Sequence, residues 1–216
     1  MATTDLDTII DRVEALLTDS GNADWTTAEL TMAIRLALSE LSTLLPARAV
    51  TTIDAVDGQY EYSLSSITGL VCVTEVWYPY LSTDDSYKLP HPVKWRMLDD
   101  VTLFLDVDDD PDAQYKIRIF YDQVQTLEGL DGATATTLNN AEKSVLVLGA
   151  AGYAALAKGR DLMNEVTIGD DVPQSYMNWG KARLNEFGQR VYGLSGLDAE
   201  SEDSRIGWWS ADKWDE

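Results

Sequence analysis

The chain has 216 residues, one cysteine, one histidine and a formal charge of −21. A lone Cys72 excludes an intrachain disulfide, and a lone His91 excludes a catalytic His pair or a multi-His metal site within one copy. The 37 acidic residues against 16 basic ones disfavour nucleic-acid binding over most of the surface.

Residues 5–18 read as an amphipathic helix, with Leu6, Ile9, Ile10, Val13, Leu16 and Leu17 on the 3.6-residue period and Asp5 and Asp7 in the first turn. A polar loop follows. A second helix spans about 27–45: Thr26 and Glu29 form a capping box, Leu30, Ile34, Ala37, Leu38, Leu41 and Leu45 make its apolar stripe, and Pro46 ends it.

The period then changes. From Val50 to Tyr121 the chain is β-branched, aromatic and broken by short turns, which indicates five to seven strands. Asp57-Gly58 predicts a hairpin between TTIDAV and QYEYSL. Leu70–Tyr80 is a long strand, with Cys72 expected as a buried, inert thiol. Lys94–Leu98 and Val101–Val107 form a hairpin turning at Asp99-Asp100. Tyr115–Tyr121 closes the set, with Lys116 and Arg118 outward and Ile117 and Ile119 inward. Residues 122–140 read as a loop that exchanges its amides fast.

The stretch Ala141–Lys158 is uncharged from Ser144 to Ala157 and apolar all round, so it belongs inside the fold. Its glycines and alanines let neighbouring backbones come close, and Gly159 is the expected stop. A last helix covers about 172–192, with Val172, Tyr176, Trp179, Leu184, Phe187 and Val191 as its buried side and Arg183 and Arg190 in ion pairs. Residues 193–216 have no useful period, yet tryptophans crowd the end. Aromatic anchors dominate interfaces, so Arg205, Ile206, Trp208, Trp209, Lys213 and Trp214 are the candidate partner-binding residues.

The expected fold class is α+β: a four-helix bundle with an inserted antiparallel β-sandwich or barrel and an extended C-terminal tail. The expected divisions are 1–48 (first part of the bundle), 49–122 (the β-domain), 123–192 (loop and second part of the bundle) and 193–216 (docking tail).

Reaction chemistry has little to stand on. Asp106–Asp112 begins with calcium-loop spacing, but Pro111 stands where that loop needs Gly and Ile117 where it needs a bidentate Glu. Gly-rich phosphate loops, a nucleophile elbow and zinc spacing are all missing from the sequence. No catalytic, cofactor or metal residue is assigned. The acidity has two competing causes, adaptation to high salt or a surface past which DNA slides without sticking.

The order of elements, carried by DWTTAELTMAIRLALSELSTLLP, then DGQYEYSL, then LEGLDGATATTLNNAEKSVLVLGAAGYAALAK, resembles the head–tail connector (adaptor) proteins of tailed viruses over roughly residues 5–192. The resemblance implies a non-enzymatic ring, usually of twelve copies, beneath the portal protein at the capsid–tail junction of a virion assembled in the host cytoplasm. It also implies tail or head-completion proteins as neighbours, double-stranded DNA passing through the channel without specific binding, a C-terminal tail along the portal, and no cofactor or membrane. The surplus of Asp departs from most of that family and suits a virus of a salt-loving host. The competing reading is a carbohydrate- or protein-binding β-sandwich module on a helical bundle, with Tyr60, Tyr62, Trp77, Tyr78, Tyr80 and Trp95 as a stacking platform. An Asp-based hydrolase is a third reading, for which no motif has the required geometry.

Overall fold

The computed structural model describes residues 3–19, 23–83, 90–163 and 171–209, with side chains as far as residue 196. The fold is mixed helix and sheet. The chain divides into two compact units, residues 1–45 with 125–216 and residues 46–124.

The first unit holds α1 (Asp5–Leu17), α2 (Thr27–Leu44), α3 (Asn140–Leu162) and α4 (Asp171–Trp209). The first three start in capping boxes, Thr4 with Asp7, Thr26 with Glu29, and Asn139 with Glu142. In each, two orphan N–H groups of the first turn are satisfied reciprocally. Helix α3 is the centre: every residue from Val145 to Gly152 is buried, and its side chains share one apolar cluster with residues of α1, α2 and α4. Tyr153 ties α3 to α2 by donating to Glu40 Oε2 at 2.5 Å; burial first, and then that carboxylate, push the phenol up to about 12.

Small residues set the packing of α3 on α4. A methyl group at Gly149 would come within 2.8 Å of Phe187, and one at Gly159 within 2.7 Å of Met177 and 3.0 Å of the Pro173 carbonyl oxygen. Gly159 is therefore not the helix stop expected of it: α3 runs on to Leu162 because Gly159 is a contact point for the start of α4. Phe187 and Val191 are buried as expected, whereas Val172 is exposed, since the first turn of α4 lies beyond the cluster. Arg183 and Arg190 both donate to Glu186, at 2.8 and 2.6 Å.

Helix α4 does not end near residue 192. Its backbone stays helical to Trp209, so residues 193–209 are not extended. Helix α4 has 39 residues and α3 has 23, so α4 is longer by about 24 Å at ~1.5 Å per residue.

The segment 125–139 is packed, not a freely exchanging loop. Leu127, Leu130 and Leu138 enter the helical core. Buried Gln125 donates from its backbone to Ser42 Oγ (3.1 Å) and from Nε2 to the Leu45 carbonyl (3.0 Å), while Thr137 Oγ1 donates to Gln125 Oε1 at 2.6 Å. The threonines here, Thr126, Thr136 and Thr137, supply hydrogen bonds that a buried irregular backbone requires.

The second unit holds β1 (Ala47–Asp54), β2 (Glu61–Ser63), β3 (Leu70–Tyr80), β4 (Lys94–Asp99), β5 (Thr102–Asp106) and β6 (Lys116–Gln123), in two antiparallel sheets of order β1-β6-β3 and β2-β5-β4. Residues of both sheets make one cluster, with Ile117, Ile119, Leu103, Leu105 and Val76 fully buried. The β4–β5 hairpin read from the sequence forms, with its turn at Asp100-Val101, one residue later than expected, because Asp99 pairs with Thr102. The hairpin expected at Asp57-Gly58 does not. β1 pairs along all eight residues with β6, from Ala47↔Gln123 to Asp54↔Lys116, and β2 pairs with β5. Asp57-Gly58 instead turns the chain between sheets, with Gly58 at φ +67°, its N–H donating to the Pro111 carbonyl, and Asp57 Oδ1 accepting from Ala113 N–H. Cys72 is exposed, not buried, because Val73 takes the inward position beside it.

Candidate interaction surfaces

Of the six expected partner-binding residues, Arg205, Ile206, Trp208 and Trp209 lie on the last turns of α4. Lys213 and Trp214 lie outside the described residues.

A groove that periodicity alone does not indicate opens in the helical unit. It measures ≈ 570 Å³ and is lined by Leu16 and Leu17 of α1, Trp25 before α2, and Asp171, Val172, Tyr176 and Trp179 of α4. Its floor is firmly held. Trp25 Nε1–H donates to the Ala154 carbonyl (3.2 Å), Tyr176 meets the Trp25 ring edge-on at 5.9 Å, and the Lys158 ammonium lies 5.9 Å from the same ring. Asp19 shapes the approach to Trp25. Its buried carboxylate accepts from the N–H groups of Ala23, Asp24 and Trp25 at 2.9–3.2 Å. Burial alone would raise its pKa, but these donors, with Lys158 nearby, outweigh it and hold the carboxyl below the usual range. The legible trace in the sequence was a Trp immediately before a capping box.

A second apolar surface lies on the outer side of α2. Met32, Leu36 and Leu44 are exposed, while Leu30, Ala33, Ile34 and Ala37 face the core. Arg35, between them, binds Asp131 through Nε and Nη2, and that bond lowers the Asp131 pKa.

In the β-unit, the six aromatics proposed as a stacking platform do not share a face. Tyr62 and Tyr78 are core residues and Trp95 packs against the core. Tyr60 stacks on Phe104 (6.0 Å) and donates to Asp110 Oδ1 (2.7 Å). Trp77 and Tyr80 lie on the outer side of the first sheet, where the Arg118 guanidinium sits 4.9–5.4 Å from the rings of Tyr80, Trp77 and Phe120. Asp112, in the acidic run 106–112, holds its own turn by accepting from Gln114 N–H (2.8 Å). Among the described residues, no three His, Cys, Asp or Glu side chains are grouped to hold a metal ion, and no helix is long and apolar enough to cross a membrane.

The helical unit therefore presents two apolar surfaces, the groove beside Trp25 and the outer side of α2. The chain belongs to the SU10 adaptor protein family, whose model matches residues 4–191. That match bears out the resemblance to head–tail adaptors and spans both units, ending before residues 205–214. No curated protein matches the chain.

Proposed function

We propose that the protein is a head–tail connector of a tailed virus: a ring, twelve copies in the family pattern, docked under the portal, joining capsid to tail around the channel for the genome. The observation that carries this reading is the family match over residues 4–191, which runs through the β-unit as well as the helices on either side of it. The charge of −21 is compatible with it, since acid over most of the surface keeps the phosphate backbone of passing DNA from sticking. In this reading the four helices act as a bundle and the two sheets as a sandwich. Residues 193–216 are the docking segment, with Ile206, Trp208, Trp209 and Trp214 as anchors and Arg205 and Lys213 at the rim. Tail or head-completion proteins bind the opposite side of the ring.

Co-sedimentation with the portal protein tests the reading. Full-length protein is expected to pellet with portal as a particle of defined mass, and a chain truncated after Leu197 is expected to stay folded and lose that binding. Equal binding by both removes the tail from the interface. No binding by either overturns the connector reading.

A further inference from the structure

A ring built from one kind of subunit needs two different patches on each copy, because a head-to-tail contact joins unlike surfaces. The helical unit carries two such surfaces, the Trp25 groove and the outer side of α2. We propose that the outer side of α2 from one copy seats in the groove of the next. This inference rests on the ring reading and names the contact that builds it.

The shapes correspond. Met32 and Leu36 are 53% and 48% exposed and sit one turn apart, the i, i+4 spacing with which a helix places two anchors in a hydrophobic groove. The groove offers apolar and aromatic walls, and two of its lining residues, Leu16 and Val172, are 38% and 46% exposed. Leaving this much apolar surface uncovered on both patches is costly in water, and their union removes both.

The charges correspond as well. Copies that each carry −21 repel, so they can meet closely only where carboxylates are sparse. The α2 surface presents one cation, Arg35, between its two anchors, with its partner Asp131 beside it and Glu29 one turn before Met32, and the groove lining contains one charged residue, Asp171. Asp131 holds the Nε and Nη2 edge of Arg35, while Nη1 turns toward Met32 Sδ at 3.9 Å, along the apolar surface. Seating Met32 and Leu36 in the groove brings that edge to Asp171 of the neighbouring copy.

The test uses full-length protein in a Cys72→Ser background, which removes the single natural thiol. Leu36→Cys and Val172→Cys are made singly and together and treated with a short bismaleimide under assembly conditions. The doubly substituted protein is expected to give a ladder of covalent oligomers, and an equimolar mixture of the two single variants is expected to stop at dimers. Oligomers seen by native mass measurement without any 36–172 link overturn the proposed contact and leave the ring reading standing. Protein that stays monomeric with and without portal overturns both. A charge exchange gives the second measurement, in an Asp131→Asn background so that the new acid faces no old one. Arg35→Asp and Asp171→Arg are each expected to weaken assembly at least tenfold, Asp171→Arg with a small fall in melting because it puts a cation at the N-terminus of α4, and the double variant to recover most of the assembly but not that fall. Failure of the double variant to recover overturns the pairing.

Discussion

Gly152 and Gly180 meet where α3 crosses α4: a methyl group on Gly180 would stand 2.8 Å from the Gly152 carbonyl oxygen, and one on Gly152 would stand 2.9 Å from Leu184. The backbones touch at this point, and neither can retreat without opening the cluster around Phe187. The small-residue run in α3 therefore has a geometric purpose that outweighs its poor helix propensity.

Gly180→Ala gains ~1 kcal/mol of helix propensity and incurs ~1–3 kcal/mol of overpacking against a carbonyl that cannot move aside. Net destabilisation of up to about 2 kcal/mol is expected by urea unfolding. Gly188 is the internal control on the same helix. Nothing lies within 4 Å of its would-be methyl, so Gly188→Ala is expected to stabilise by about 1 kcal/mol. Stabilisation by both substitutions would show that the crossing is loose.

Asp19 makes the approach to the groove acid-sensitive. Its pKa is lowered in the folded state, so its contribution is present above the unfolded carboxylate range and is lost as pH falls through the folded value. Asp19→Asn is expected to lower the melting midpoint at pH 7. The gap to the parent protein should close as pH drops below about 4, read by thermal melts from pH 7 to pH 3. A gap independent of pH would mean that the carboxylate charge plays no part.

Residues 125–139 are expected to exchange slowly despite their polar composition, because Gln125 and Thr137 tie them to α2 and to each other. Thr137→Val removes the Thr137 hydroxyl donor to Gln125 and leaves a buried amide oxygen short of a partner, which costs ~1–3 kcal/mol. Hydrogen exchange by mass spectrometry checks both, through protection of the segment in the parent and its loss in the variant.

Salt is expected to stabilise the fold. Between 0.1 M and 1 M the Debye length shrinks from ~10 Å to ~3 Å, which screens repulsion among carboxylates spread over the chain. The unfolding midpoint should rise by several degrees over that range. A falling midpoint would rule out adaptation to high salt and favour a channel role for the acid.

Local pattern determined a large part of this protein. The periods of α1 and α2, the Thr26–Glu29 cap, the alternation of Lys116, Ile117, Arg118 and Ile119, and the all-apolar α3 were legible because each depends on residues at most a turn or a strand apart. The order of those elements also carried the resemblance that the family match bears out. Tertiary structure decided what depends on distant partners. Asp57-Gly58 has the composition of a hairpin turn, but β1 finds eight partners on β6, 62 or more residues away, where β2 is only three residues long. Gly159 has the look of a helix stop, but the approach of Met177 and Pro173 makes it an interior contact. The groove needs Leu16, Trp25 and Tyr176, from three separate segments, and no period within one segment can place them together. Short-range energies choose the elements; which faces meet is chosen by the packing of the whole core.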